Sequence, residues 1–227
     1  MRTELSNHKH AATVAVCNFF VLWPELLKGD FEECERHSAE LVAYCAEKKV
    51  EQWRLFAAIC HALACATLQP TGENIAAVCA ALSAKNRTGL RMYDSVFVSQ
   101  LAWALLAAGD IPSAEATLRE AFAFVEDSGE LFWLAELHRL DGRIALKRPE
   151  PERARAEASF LEAIEIARSQ EALILELRAA TDLAQLRRDG GAGADPRTLL
   201  EPILAAIEGG ETTGDVRKAR ALIAEIA

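Results

Sequence analysis

Residues 131–170 read LFWLAELHRLDGRIALKRPEPERARAEASFLEAIEIARSQ, and this stretch decides the fold. It contains two segments with apolar residues at helical spacing, separated by the proline-marked turn KRPEP. Proline cannot continue a helix and disfavours the helical conformation of the residue before it, so the turn divides two helices. The stretch therefore predicts one helical hairpin.

Segments of similar length and pattern recur on both sides of this hairpin at a spacing of 40 residues. Trp53, Tyr93 and Trp133 are each 40 residues apart, and each lies at the start of the first helix of a hairpin. Gly29 and Gly109 both open a Gly-Asp-apolar turn and lie 80 residues apart, which is two repeats. Self-similarity at this period is the signature of a solenoid, in which each unit buries its apolar face against its neighbours.

The sequence therefore predicts an all-α fold, a tetratricopeptide-like solenoid of helical hairpins wound as a right-handed superhelix. We expect one repeat domain over residues 1–227, with about five hairpins and a C-terminal capping helix. The hairpins are predicted at residues 11–49, 52–84, 92–127, 131–170 and 173–208, and the cap at 215–226.

A smaller pattern favours tetratricopeptide-like hairpins over other helical repeats. In the second helix of the fourth hairpin, Ala156, Phe160 and Ala163 have the small-x3-aromatic-x2-small spacing of such a repeat. The third hairpin repeats this spacing at Ala114, Leu118 and Ala121. Small residues let two helices approach closely, and the large residue fills the groove opposite.

Several motifs between residues 130 and 222 carry a resemblance to a known family. They are AELHRL from Ala135 with Gly142, ASFLEAIEIA from Ala158, ELRAA from Glu176, and GDVRKARAL from Gly214. This part resembles the C-terminal tetratricopeptide-like region that follows an ATPase module in many bacterial signalling proteins. Class III adenylate cyclases and winged-helix or LuxR-type transcriptional regulators are among them. The resemblance implies a sensory or scaffolding array that regulates a partner domain.

The chain departs from that family because it lacks the output modules. It contains no phosphate-binding G-x-x-x-x-G-K-[ST], no cyclase core and no DNA-reading helix-turn-helix motif. Two alternatives stay open: a stand-alone array, or a piece of a larger protein whose missing part would precede Met1.

Composition and charge exclude several classes of function. The formal net charge is −9, the pI is about 5.2, and there is no basic stripe, so we expect no nucleic-acid partner. No run approaches the roughly 18 uncharged apolar residues of a membrane span, so we expect no membrane partner. The polar N-terminus lacks a signal-peptide core, and the six cysteines form no C-x-x-C motif. Together these features predict a cytoplasmic protein with buried thiols; a metal or redox site is the alternative for the cysteines.

No motif of catalysis is present, and we predict no enzyme activity, no cofactor and no metal site. H-E-x-x-H, G-x-S-x-G and glycine-rich phosphate loops are all absent from the sequence. His138 is the most tempting histidine, because Asp141 shares its helix face. Since it belongs to the family-like motif, we interpret it as a packing or hydrogen-bonding residue.

The best candidate for function is the inner wall of the predicted solenoid, which the first helix of each hairpin lines. The predicted partner-binding residues are Phe19, Trp23, Phe56, Ile59, Leu63, Val96, Ser99, Trp103, Leu106, Glu136, Arg139 and Arg143. The wall is apolar and aromatic at its N-terminal end and charged toward its C-terminal end. A core or dimer contact is the alternative for the same residues.

The function predicted from these features is non-catalytic binding of a protein or peptide. The chain would act as a regulatory or scaffolding module in bacterial signalling or transcription control, with an attached output domain as another candidate partner. A small-molecule sensor with an enclosed cavity is the first alternative. A homodimerisation module is the second.

Overall fold

The computed structural model of the protein describes residues 10–190, 195–210 and 213–225. Three predicted features lie partly outside this range: the polar N-terminus, the fifth hairpin at residues 191–194, and the end of the capping helix at 226.

Within the described residues, eleven α-helices and one short 3-10 helix pack as sequential antiparallel pairs. The chain divides into two compact units, Met1–Gly109 and Asp110–Ala227, called unit 1 and unit 2. Unit 1 holds α1 (Ala11–Lys28), α2 (Phe31–Lys48), α3 (Glu51–Leu68), α4 (Gly72–Asn86) and α5 (Asp94–Ala107). Unit 2 holds α6 (Ile111–Ser128), the 3-10 helix (Leu131–Trp133), α7 (Leu134–Lys147), α8 (Arg153–Ser169), α9 (Leu173–Asp189), α10 (Pro196–Ala206) and α11 (Gly214–Ala224).

The helix positions confirm the local sequence signals. The helices at the two ends of each predicted hairpin begin and end within two residues of the predicted bounds. Gly29 follows α1 in the left-handed conformation at φ 81°, which glycine adopts without steric cost. Thr71 and Asp110 cap α4 and α6 by accepting hydrogen bonds from the backbone N–H groups of Asn74 and Ser113.

In unit 1 the central element is α3, which contacts α1, α2, α4 and α5. Its buried side chains therefore come from more than one face; Phe56, Ile59 and Leu63 are all fully buried. Phe19 and Leu22 of α1 are buried too. The core of unit 1 thus lies between the first helices of its hairpins.

In unit 2 the corresponding element is α9, which contacts α7, α8, α10 and α11. The small-large-small pattern of α8 is in the core, since Ala156, Phe160 and Ala163 are fully buried. The equivalent pattern of α6 is also buried. The sequence interpretation of these positions as helix-packing residues is therefore confirmed.

A glycine in α7 sets how closely α7 and α8 approach. A Cβ atom on Gly142 would lie 2.5 Å from Phe160 Cε1 and 3.0 Å from the Ala156 carbonyl oxygen. Carbon atoms make favourable contacts at about 3.5–4.0 Å, so no side chain fits between these helices. The Phe160 ring occupies the space that any larger residue at position 142 would need.

The length and hydropathy of α1 are relevant to the expectation that the protein has no membrane partner. By length and mean hydropathy, 1.3 over its 18 residues, α1 could cross a membrane, although it contains Glu25 and Lys28. Of that segment, 28% is buried in the fold. Phe19, Leu22 and Leu26 pack into unit 1, so part of the apolar surface of α1 is buried in the core of this unit.

Replacing Gly142 with alanine tests the close approach of α7 and α8. Alanine favours an isolated helix by about 0.8–1.0 kcal/mol over glycine, but overpacking typically costs about 1–3 kcal/mol. We expect Gly142→Ala to lower the free energy of unfolding by about 1–2 kcal/mol, because the clash is with a fully buried ring. Urea unfolding followed by circular dichroism measures the change.

Gly72→Ala is the matched control, because Gly72 is also helical and a Cβ atom added to it would meet no atom within 4 Å. This variant should be as stable as the parent or slightly more stable. Equal stability of Gly142→Ala and the parent would show that the two helices separate without cost.

Candidate binding surfaces

The predicted inner-wall residues divide into a buried and a partly exposed group. The buried ones are Phe19, Phe56, Ile59, Leu63, Val96, Ser99 and Glu136. The partly exposed ones are Trp23, Trp103, Leu106, Arg139 and Arg143. Burial of the first group agrees with the core alternative, and a binding role for these residues stays a prediction.

The physical reason is the number of neighbours that each first helix has. A helix lining an open groove would be covered on one side, whereas α3 is covered by four helices of its unit. Apolar residues on several faces of α3 are therefore buried. Ala57, Cys60 and Ala64 on the remaining faces of α3 are also fully buried.

Seven aromatic side chains of unit 1 form one group, here called the aromatic cluster: Phe19, Phe20, Trp23, Trp53, Phe56, Tyr93 and Phe97. Phe19 lies at its centre, with ring centroids 5.2 Å from Trp53 and 5.6 Å from Phe56. Trp23 and Tyr93 are 4.5 Å apart. Such distances are typical of favourable aromatic pairs, so the cluster ties α1, α3 and the start of α5 together.

Four residues of this cluster reach the surface, and Phe20, Trp23, Trp53 and Tyr93 are together called the aromatic edge. Phe20 is 52% exposed, and the other three are partly exposed. Phe19, Phe56 and Phe97 are fully buried beneath them. The edge therefore presents large apolar side chains that are held in place by a packed aromatic layer.

A buried ion pair holds the loop that positions Tyr93. Lys85 is fully buried, forms an ion pair with Asp94, and donates a hydrogen bond of 2.8 Å to the Leu90 carbonyl. Arg91 Nε lies 2.6 Å from the other carboxylate oxygen of Asp94. Tyr93 has φ 65° in the left-handed region, which is unfavourable for a bulky side chain. The ion pair and the ring contacts together maintain this conformation.

The charged end of the predicted inner wall is a largely buried network centred on Asp182 of α9. Asp182 is 1% exposed and accepts hydrogen bonds from Arg139 of α7 at 2.6 Å and Lys218 of α11 at 3.0 Å. Arg143 approaches it at 3.5 Å. Arg139, 13% exposed, also forms a two-pronged pair with Glu136 at 2.5 and 2.9 Å. The network thus connects α7, α9 and α11 of unit 2.

The charges in this network adjust one another. Burial by itself would raise the pKa of Asp182, but Arg139, Arg143 and Lys218 lower it below its usual value. For Arg139, burial would lower the pKa, but Glu136 and Asp182 raise it above its usual range. Asp182 and Arg139 are therefore both charged at neutral pH and form an ion pair with each other.

The histidine and cysteine residues considered as candidate sites lie in packed or unclustered positions. The His138 ring packs edge-on against Phe122 at 5.0 Å, and burial lowers its pKa, although Glu162 and Asp141 act in the opposite direction. Burial raises the pKa of Cys34 to about 12 and that of Cys60 well above its ordinary value. Cys79 is exposed, unlike the buried position expected for it. Within the described residues, no group of three or more His, Cys, Asp or Glu side chains could hold a metal ion.

No protein-family model, curated protein or solved structure matches the chain. The family resemblance inferred from the sequence motifs therefore stays a prediction.

Sequence reasoning missed Lys85, Asp94, Asp182 and Lys218, which carry the two buried ion networks. A signal existed for Asp182, because it is the one acidic residue in the mostly apolar run LRAATDLAQL. A charge in such a run is expected to be paired, since burying an isolated charge is very costly. Its partners could not be named, because they lie on other helices.

The network predicts that Asp182→Asn is strongly destabilising. The variant leaves Arg139 and Arg143 facing a neutral amide, and removal of one partner from a buried pair typically costs about 3–5 kcal/mol. Because the folded-state pKa of Asp182 is lowered, its contribution is present above the unfolded-state pKa and is lost as pH falls through the folded-state value. The stability difference from the parent should therefore be large at pH 7 and shrink below about pH 3.9.

Urea unfolding at a series of pH values measures this difference. Asp189→Asn is the control on the same helix, because the Asp189 side chain is 52% exposed. Its effect should stay within about 0.5 kcal/mol. A difference for Asp182→Asn that is equally small at pH 7 would contradict the proposed role of the network.

His138 provides a second pH test. We expect its pKa, measured by NMR titration, to lie below 6.5, because burial disfavours the charged ring. Phe122→Ala removes the ring packed against it and should move the pKa upward. In the parent, the unfolded chain binds a proton at His138 at a higher pH than the folded chain does. His138 therefore lowers the free energy of unfolding as pH falls from 6.5 toward the folded-state pKa. A pKa at or above 6.5 in the parent would show that the acidic neighbours outweigh burial.

Proposed function

We propose that the protein is a non-catalytic module that binds a protein or peptide through the aromatic edge. The observation that carries this proposal is Phe20, which is 52% exposed above a fully packed aromatic layer. Large exposed apolar side chains grouped on a rigid base are typical of interaction sites. The resemblance noted in the sequence suggests such a module in bacterial signalling or transcription control, in the cytoplasm.

The fold we propose is the tetratricopeptide-like solenoid of helical hairpins, a right-handed superhelix with about five hairpins and a capping helix. Two features support it within each unit. Consecutive helices pack as pairs, and first helices also contact the next first helix, as α1 does α3 and α7 does α9. Contacts between like helices of successive repeats are what a stacked array requires.

The aromatic edge suits an apolar side chain on a peptide. Trp23 and Tyr93 are close-packed, and Phe20 lies 6.4 Å from Trp53 between ring centroids. Rings fixed in this way lose little conformational entropy when a partner binds. Unit 1 carries 10 basic and 11 acidic residues in the sequence, so no strong field of one sign surrounds the edge. Apolar burial would therefore dominate the contact, and added salt should weaken it little.

A homodimer is the second candidate, and α1 favours it. This helix has a mean hydropathy of 1.3 with 28% of its residues buried, so part of its apolar surface faces outward. A second copy would be able to cover that surface. The net charge of −9 acts against self-association, which is why a distinct partner ranks first.

Phe20→Ser tests the proposed surface. Peptides selected from a displayed random library on the intact chain provide the probe, and fluorescence anisotropy gives their affinities. The variant should bind the selected peptides at least about tenfold more weakly, because loss of a central aromatic residue typically costs about 2 kcal/mol or more. Its thermal unfolding should change little, since the side chain is half exposed.

Leu161→Ser is the control, because Leu161 is a large apolar residue of α8 that is 42% exposed and lies in unit 2. It should leave peptide affinity unchanged. Equal affinity of Phe20→Ser and the parent would reject the aromatic edge as the binding surface. If light scattering instead shows a dimer that Phe20→Ser dissociates, the edge is a contact between two copies.

A further inference from the structure

Unit 2 contains a cavity of about 350 Å³ that the proposed peptide binding does not use. It lies beside α6, the C-terminal part of α7, and the turn and first residues of α8. Its volume is within the range of about 300–1,000 Å³ that is usual for small-molecule sites. Charged residues line it from three of these elements: Glu115, Arg119, Asp141, Arg148 and Arg155.

The three arginines of this cavity differ in how far they are already engaged. Arg155 is held by Asp141 at 2.6 Å and Glu152 at 3.0 Å, and uses Nε and both terminal nitrogens. Arg148 uses one terminal nitrogen, Nη1, for Glu152 at 3.0 Å and Glu115 at 3.3 Å. Arg119 has no hydrogen bond or ion pair with any residue in the parts of the chain that the structure describes.

The cavity therefore has more donors than acceptors. A guanidinium carries five N–H donors. All five of Arg119 and most of Arg148 are available, whereas Asp141 is occupied by Arg155 and by the Ser159 hydroxyl at 2.6 Å. One acceptor is incompletely satisfied: the buried Glu115 Oε1 forms an ion pair with Arg148 Nη1 at 3.3 Å but accepts no hydrogen bond. A ligand that matches this lining has an anionic group.

The floor of the cavity is apolar. Leu118 is 3% exposed and belongs to the small-large-small packing pattern of α6. Phe122 lies one helical turn further along and packs against His138 at 5.0 Å between ring centroids. A planar or aliphatic portion of a ligand would make van der Waals contacts there. An inorganic anion has no such portion.

We propose that this cavity binds a small organic anion. Its phosphate or carboxylate is held by Arg119 and Arg148, and its apolar portion contacts Leu118 and Phe122. Guanidinium groups bind both kinds of anion in a two-pronged geometry, so the shared chemistry is an oxyanion attached to an apolar body. Arg155 stays in place, because Asp141 and Glu152 hold its guanidinium. This site and the aromatic edge belong to different units and are independent proposals.

Isothermal titration of the intact protein with four probes tests the proposal. Phenyl phosphate and benzoate carry both the oxyanion and the ring, inorganic phosphate lacks the ring, and benzyl alcohol lacks the charge. We expect saturable binding of phenyl phosphate, benzoate or both below roughly 10 mM. Tighter binding of phenyl phosphate identifies a phosphate site, and tighter binding of benzoate identifies a carboxylate site. The His138 ring signals in NMR should shift on binding, because Phe122 lines the cavity and packs against that ring.

Arg119→Ala should weaken binding of the better probe at least tenfold and leave thermal unfolding unchanged, because Arg119 is exposed and unpaired in the described structure. Arg220→Ala is the control, because Arg220 is an exposed arginine of α11 outside the cavity; it should bind like the parent. The proposal is overturned if neither ring-bearing anion binds, or if Arg119→Ala binds as well as Arg220→Ala. Equal affinity for inorganic phosphate or for benzyl alcohol also overturns it, since the site would then not recognise an organic anion.

Discussion

The contact between Gly142 and Phe160 is the constraint on which the packing of unit 2 depends. The Phe160 ring fills the space above Gly142 so closely that no Cβ atom can be added there. Around it, Ala156 and Ala163 keep the α8 backbone near its neighbours, and both are fully buried. Small residues facing a large one let helices of modest length bury a continuous core, which isolated helices cannot do.

The two units use different chemistry in the layer between their first helices. Unit 1 fills it with rings, with Phe19 surrounded by Trp53 and Phe56. Unit 2 places Asp182 there, with cations from two other helices. Rings contribute apolar area in any orientation near the right distance, whereas a buried carboxylate is tolerated when its partners are correctly placed. In unit 2 the packing between the first helices therefore depends on specific pairs.

This difference also bears on where binding can occur. The three charged residues predicted for the inner wall, Glu136, Arg139 and Arg143, belong to the Asp182 network. Their ion pairs stabilise the packing of α7, α9 and α11. The two sites that we propose lie elsewhere: the exposed side of the aromatic cluster in unit 1, and the arginine-lined cavity in unit 2. Side chains already paired inside a fold are poor ligands, because releasing them costs what the pair contributed.

The positions of the helices and their pairing were determined by the sequence, because those signals are local. Glycines such as Gly29 end helices in the left-handed conformation, and side chains such as Thr71 and Asp110 cap the next ones. The interpretation of Phe160 and its flanking alanines as packing residues also followed from spacing along one helix. These features need information from a few neighbouring residues, so reading them requires no knowledge of the tertiary fold.

Which of the first-helix residues face water was decided by the tertiary structure alone. Phe56 and Glu136 were predicted to line a groove, and both are buried because several helices cover α3 and α7. Asp182 meets Arg139 from 43 residues earlier in the chain and Lys218 from 36 residues later. No periodicity within one helix encodes such partners, since burial and ion pairing depend on which helices arrive on each side.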